Sequence, residues 1–200
     1  MAVDFKTFNA IAPHVLAVKK PVLLRGRHGV GKSQVVYQVA DALGLPVIER
    51  RASQMTEGDL VGLPVISGNT TTFNPPDWFK ECCNEPRILF LDEINMAPPA
   101  VQGIAQQLIL DRKVGNYKVP EGWFIWGAGN RKQDFAAVFD MPAPLANRFM
   151  HLEVTTSLKE YKEYALAHQI DDRIISFLNY RPQLLHKIDK NSPSWPSPRS

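Results

Sequence analysis

The chain has 200 residues, 44% of them hydrophobic and 22% charged, which suffices for one substantial core with a small appendage. Its formal net charge of +3, from 23 Lys and Arg against 20 Asp and Glu, is too small to mark a nucleic-acid or acidic-membrane surface. No apolar run is long enough to span a bilayer, the first residues lack the apolar core of a signal peptide, and the only cysteines, Cys82 and Cys83, are adjacent. Idle thiols in a reducing cytoplasm fit this pattern better than a disulfide framework or a metal site.

In chain order, Phe5, Phe8, Ile11, Ala12, Val15 and Leu16 recur at helical spacing and predict an amphipathic helix, closed by Pro21. The apolar run from Pro21 to Leu24 predicts a strand. Gly26-Arg27-His28-Gly29-Val30-Gly31-Lys32-Ser33 follows it and opens a helical segment from Gln34 to Ala40. Strand, glycine-rich turn and helix N-terminus are the context a phosphate-binding P-loop requires. Glycines let several N–H groups converge on one anion, and the helix, beginning near Lys32, adds its positive end. The cradle predicted here runs from Gly26 to Gln34, with Lys32 on the β- and γ-phosphates and Ser33 offering a hydroxyl to magnesium.

Gly44 is a plausible helix C-cap, and Pro46 to Arg50 reads as a second strand; the resulting βαβ unit predicts a parallel sheet. Val65-Ile66 and Thr70 to Phe73 flank a Ser-Gly-Asn turn and predict a small hairpin near 63–73. Pro75-Pro76-Asp77 can start a short helix carrying Trp78, Phe79 and both cysteines. Ile88-Leu89-Phe90-Leu91 is the most apolar run, the mark of a strand buried on both faces, and it ends in Asp92-Glu93. A helix from Ala97 to Leu110, a second hairpin over 111–119 around Gly115-Asn116, and a buried strand from Gly122 to Ala128 follow. Gly129-Asn130 ends that strand; a last strand spans Met150 to Val154. From Ser157 the pattern is helical only, so a boundary is placed near Thr156, and the tail from Asn191 has the composition of a Pro/Ser linker.

Paired acids after a buried strand are costly unless used. Beside a P-loop, Asp92 can orient magnesium or its waters, and Glu93 can polarise a water aimed at the γ-phosphorus. An acid pair can also simply cap a helix. Asn130 suits either an amide holding that water or a turn residue. Arg148, just before the last strand, suits either an arginine finger or a solvated strand end.

Taken together, Gly26–Ser33, Ile88–Asn95 with Ala97-Pro98-Pro99, Gly129-Asn130 and Pro144–Phe149 resemble an AAA+ ATPase, and more narrowly its MoxR-type branch. The resemblance covers nearly the whole chain. It implies a parallel-sheet α/β nucleotide-binding core over residues 1–156 and a small helical lid over 157–200, with ATP and Mg2+ bound. Lys32 and Ser33 would be Walker A, Asp92 and Glu93 Walker B, and Asn130 sensor 1. Arg148 would be an arginine finger acting on the neighbouring subunit, and Arg199 sensor 2, which turns the Pro/Ser tail into the lead-in to a lid helix. The first hairpin would be the insert that marks the branch, the second the hairpin before sensor 1. The family further implies a ring, usually of six subunits, and chaperone-like remodelling of a protein, often with a von Willebrand A domain partner. A nucleic-acid motor of related fold and a nucleotide-dependent scaffold with little turnover are the competing readings.

Overall fold

In the computed structural model, which describes residues 2–80, 85–131, 139–155, 157–188 and 195–198, the apolar runs pair into one parallel sheet. Its strands are β1 (Ala2–Val3), β2 (Val22–Gly26), β3 (Val47–Arg51), β6 (Arg87–Asp92), β9 (Trp123–Asn130) and β10 (Met150–Val154). They lie in the order β1-β10-β2-β9-β6-β3, every neighbouring pair parallel. Successive side chains of a strand point to opposite faces, and here both faces are covered. Leu23, Leu89, Leu91 and Ile125 therefore join one core. Val22, Leu24, Ile88, Phe90 and Trp126 join the other.

The second core is closed by α1 (Phe5–Ala17), started by the Asp4 carboxylate accepting from Thr7 N–H at 2.7 Å, and by α2 (Lys32–Ala42). The first core is closed by α3 (Glu57–Val61), α4 (Asp77–Lys80) and α5 (Pro99–Asp111), whose Leu60, Trp78, Phe79, Val101, Ala105 and Leu108 are buried. Two antiparallel hairpins stand off the sheet: β4 (Leu63–Ser67) with β5 (Thr70–Asn74), and β7 (Lys113–Val114) with β8 (Tyr117–Lys118). After α6 (Ala143–Ala146) and β10, the described residues hold α7 (Leu158–Ala167), α8 (Asp172–Tyr180) and a single 3-10 turn, Pro182–Leu184. No described helix is long and apolar enough to cross a membrane.

The elements differ from expectation chiefly in three places. The helix expected from Ala97 begins at Pro99, because Ile94–Met96 forms a 3-10 turn and Ala97 and Pro98, each followed by proline, are held extended. The P-loop helix begins at Lys32, as expected, with Gly31 as its cap. The second hairpin is confined to 113–118, since α5 runs on to Asp111. The two-residue edge strand β1 was not expected at all. Cys82, Cys83, Thr156 and Arg199 lie outside the described residues.

Candidate functional site

Because all six strands run the same way, their C-terminal ends share one edge, the edge where open α/β sheets receive ligands. Gly26, Asn130 and Asp92 end three adjacent strands there, with Gly26 directly paired to Asn130. Beyond Gly26 the chain turns through Gly29 at φ +80° and Gly31 at φ +87°, conformations that L side chains resist. Gly31 caps α2, so the free N–H groups of the first helical turn face this edge.

Lys32 is the first residue of that helix and is 92% buried from solvent (8% exposed), which requires compensation for its charge. Its Nζ donates to the carbonyls of Gly26 and Arg27, each at 3.1 Å, and to Asn130 Oδ1 at 2.9 Å. Gly26 and Arg27 thus stand behind Lys32 and act through their carbonyls, while His28 through Gln34 line the cavity in front. Ser33 Oγ donates to Asp92 Oδ2 at 3.0 Å. Burial pushes the Asp92 carboxyl above the usual carboxylate range; its hydrogen bonds from Ser33 and Glu93 N–H oppose this, and the charges of Glu49 and Glu93 add to it. A hydroxyl and a desolvated carboxylate in contact, with further acids nearby, are hard oxygen donors suited to magnesium.

Glu93 follows in the left-handed region, at φ 56°, which costs a residue with a side chain about 1–2 kcal/mol. That turn brings its carboxylate to the hydroxyl of Ser53, on the 3-10 turn after β3, which donates to it. Asn130 is buried, its Nδ2 3.3 Å from Met96 Sδ. The Asn95 side chain holds Asn130 by its backbone, accepting from Asn130 N–H at 3.1 Å and donating to Asn130 C=O at 2.7 Å. At the outer mouth Tyr37 donates to Glu49; burial first, and then this acceptor, raise the phenol to about 12.

A cavity of about 1120 Å³ runs from the P-loop to α7 and α8, where Tyr161, Tyr164 and Ile174 line it. The C-terminal segment bears on the P-loop as well. The His186 ring lies 2.8 Å from the His28 carbonyl, and Ser197 packs so closely on Gly29 that a Cβ there would meet it at 2.9 Å. Pro198 lines the cavity; Arg199, next to it, is outside the described residues.

The structure thus brings Lys32, Ser33, Asp92, Glu93 and Asn130 to one edge. It does not bring Arg148 there. Arg148 is exposed ahead of β10, whose first residue, Met150, pairs with Val22 at the start of β2, so it lies at the opposite edge of the sheet. Ser53, the Tyr37–Glu49 pair and the grip of Asn95 were not foreseen. Only Asn95 had a signal in sequence, its place two residues after the acid pair.

Residues 21–149 match the family described as AAA domain (dynein-related subfamily). Midasin of Giardia intestinalis is 25% identical over 173 residues, which are 82% of this chain and 4% of that protein. Among solved structures, the RuvB Holliday junction branch migration motor of Thermotoga maritima superposes with a TM-score of 0.54 at 20% identity, over 84% of this chain and 51% of that one. NtrX from Brucella abortus, in complex with ADP, superposes at 0.52 with 16% identity, over 82% and 41%. This chain therefore spans a small fraction of midasin and about half of the solved proteins, and the structural likeness is one of fold.

Proposed function

Because the chain belongs to the AAA domain family, dynein-related subfamily, we propose that it hydrolyses ATP at the edge built by Gly26–Ser33, Asp92, Glu93 and Asn130. The observation that carries this reading is the pair of bonds from Lys32 to Asn130 and from Ser33 to Asp92, which join the P-loop to the ends of two other strands. A phosphate-binding helix start alone would need neither.

Each side chain then has one task. The N–H groups from Gly29 to Ser33 bind phosphate oxygens, and Lys32, whose three donors are met here by Gly26, Arg27 and Asn130, exchanges protein acceptors for oxygens of the β- and γ-phosphates when nucleotide binds. Lys32 occupies Asn130 Oδ1 and Met96 Sδ takes one N–H of its amide, which leaves the second N–H to donate to the γ-phosphate or to the attacking water. Glu93 accepts the proton of that water as its oxygen bonds to the γ-phosphorus and the bond to the β-phosphate oxygen breaks. Ser33 and Asp92 would hold magnesium, which when bound neutralises charge on the phosphate oxygens. Arg148, remote from its own site, would serve the nucleotide of a second copy, and Arg199 would reach the phosphates from the lid.

The finer reading is a ring motor of the MoxR type that remodels a protein partner, with a von Willebrand A domain protein as one candidate. The exposed hairpin supports a protein over a nucleic acid. From Leu63 to Asn74 it carries no Asp, Glu, Lys or Arg, while Leu63 and Ile66 are 69% and 82% exposed. Such a ribbon suits apolar and main-chain contacts rather than a phosphate backbone.

Phosphate release and ADP binding, measured on the wild type and on Glu93→Gln, test the reading. The variant is expected to bind ADP as the wild type does while turnover falls by about 100-fold or more. Wild-type turnover in Glu93→Gln would remove the water-activating role.

A further inference from the structure

Sheet register leaves the end of β9 without a partner on one side. The β6–β9 ladder closes with Leu91 opposite Gly127, so Asn130 extends three residues past the last pair. Beyond Asp92 the chain leaves the sheet through Glu93 and the 3-10 turn Ile94–Met96, and the backbone groups of Asn130 on that side would have nothing to bond. The Asn95 carboxamide fills the place of the missing strand. It accepts from Asn130 N–H at 3.1 Å and donates to Asn130 C=O at 2.7 Å, the pattern a paired peptide group would supply. Gly129 makes the approach possible, since a Cβ there would lie 2.8 Å from Asn95 Oδ1. The backbone of Asn95 is engaged too: its carbonyl accepts from Phe139 N–H at 2.8 Å, at the start of the segment that leads to α6 and Arg148.

We propose that Asn95 is a positioning residue whose carboxamide fixes Asn130 against the Glu93 turn, so that both act on the same γ-phosphate. The proposal rests on the hydrolytic reading above and assigns to that site a residue acting through Asn130 alone. Without the clamp, the Asn130 peptide is held only by its pairing with β2, and its Oδ1 loses the fixed direction from which it holds Lys32. Glu93 lies on the near side of the same turn, whose closure is the Met96 N–H to Glu93 C=O bond of 2.8 Å, and does not depend on the carboxamide. Nucleotide binding rests on the P-loop and is expected to persist; turnover is not.

The test uses the full chain with Asn95→Leu, which removes both bonds at similar volume, and Asn95→Asp, which keeps the acceptor and loses the donor. Asn95→Leu is expected to lower kcat by about 10- to 100-fold with the ADP dissociation constant unchanged, Asn95→Asp to fall between it and the wild type. In an Asn130→Ala background the same substitution is expected to lower kcat no further, because its effect runs through Asn130. Hydrogen exchange at the Asn130 N–H, followed by NMR in wild type and variants, reads the clamp without any turnover. Exchange that is slow in the wild type and in Asn95→Asp, which keeps the acceptor, and becomes fast in Asn95→Leu supports the clamp even should the hydrolytic reading fail through Glu93→Gln. Wild-type kcat in both variants, losses that multiply with Asn130→Ala, or an Asn130 N–H exchanging equally fast in all three proteins would overturn the proposal. Should Asn95→Leu not fold, Asn95→Asp and its cycle with Asn130→Ala decide the matter alone.

Discussion

Gly31 is the residue on which the phosphate cradle turns. At φ +87° it caps α2 and sets the direction of the first helical N–H groups, so a side chain there must either accept strain or move the loop. Gly31→Ala is expected to lower stability by about 1–2 kcal/mol in urea unfolding and to weaken ADP binding in parallel. Unchanged affinity with the strain fully expressed would show that the loop does not present its N–H groups as described. At this scale the sequence was informative wherever a role depends on neighbours along the chain. The P-loop residues sit within eight positions, and Asp92 and Glu93 are exposed as unusual by the apolar run that they end. The contacts of Ser53 with Glu93 and of Asn95 with Asn130 join residues 40 and 35 positions apart, and no local pattern foretells which polar group a strand end will meet.

Among the elements, the exposed hairpin depends on the residue that enters it. Gly62 has φ +87°, and a Cβ on it would lie 1.8 Å from the Asn74 carbonyl oxygen, where β5 leaves the ribbon. Gly62→Ala must therefore open the hairpin base or tilt it away from α3. The expected result is a loss of about 2–3 kcal/mol, faster proteolysis between Leu63 and Asn74, and ADP binding that is retained, since the P-loop lies on other elements. A wild-type melting temperature and cleavage rate would contradict the packing at the hairpin base. The second hairpin stands against this same base, with Val61 Cγ1 3.4 Å from the position of a Gly115 Cβ, so disturbance at Gly62 reaches both ribbons. Both hairpins were legible because a glycine-containing turn between β-prone residues is a local signal. The edge strand β1 was not: it is two residues long, and its pairing with Glu153 and Val154 lies at the far end of the sequence.

At the scale of the molecule, one chain brings together the residues of the proposed hydrolytic site except Arg148. The Pro/Ser tail shows how composition misleads here. Lys187 N–H bonds to the Pro196 carbonyl at 3.1 Å and Ser197 rests on Gly29, so the segment 195–198 is docked on the P-loop although its residues read as a linker. Docking of this kind depends on the shape of a distant surface, which composition does not encode. Arg148 presents the opposite case. Its type was suggestive and its place is decisive, because the edge that carries it faces away from its own P-loop. If it completes the site of a second copy, two consequences follow together. Phosphate release per subunit rises with protein concentration as rings form in ATP, and Arg148→Ala abolishes release. Glu93→Gln is expected to be inactive for a different reason, since it would lack the proton acceptor but still carry the arginine. Mixed in one ring, a site with Glu93 from the first variant receives Arg148 from the second, so activity is expected to return in the mixture although each variant alone is inactive. Mass photometry identifies the mixed rings. Mixed rings without recovered activity, or a wild-type rate that does not change with concentration, would leave Arg148 a solvated strand end and the site complete within one chain.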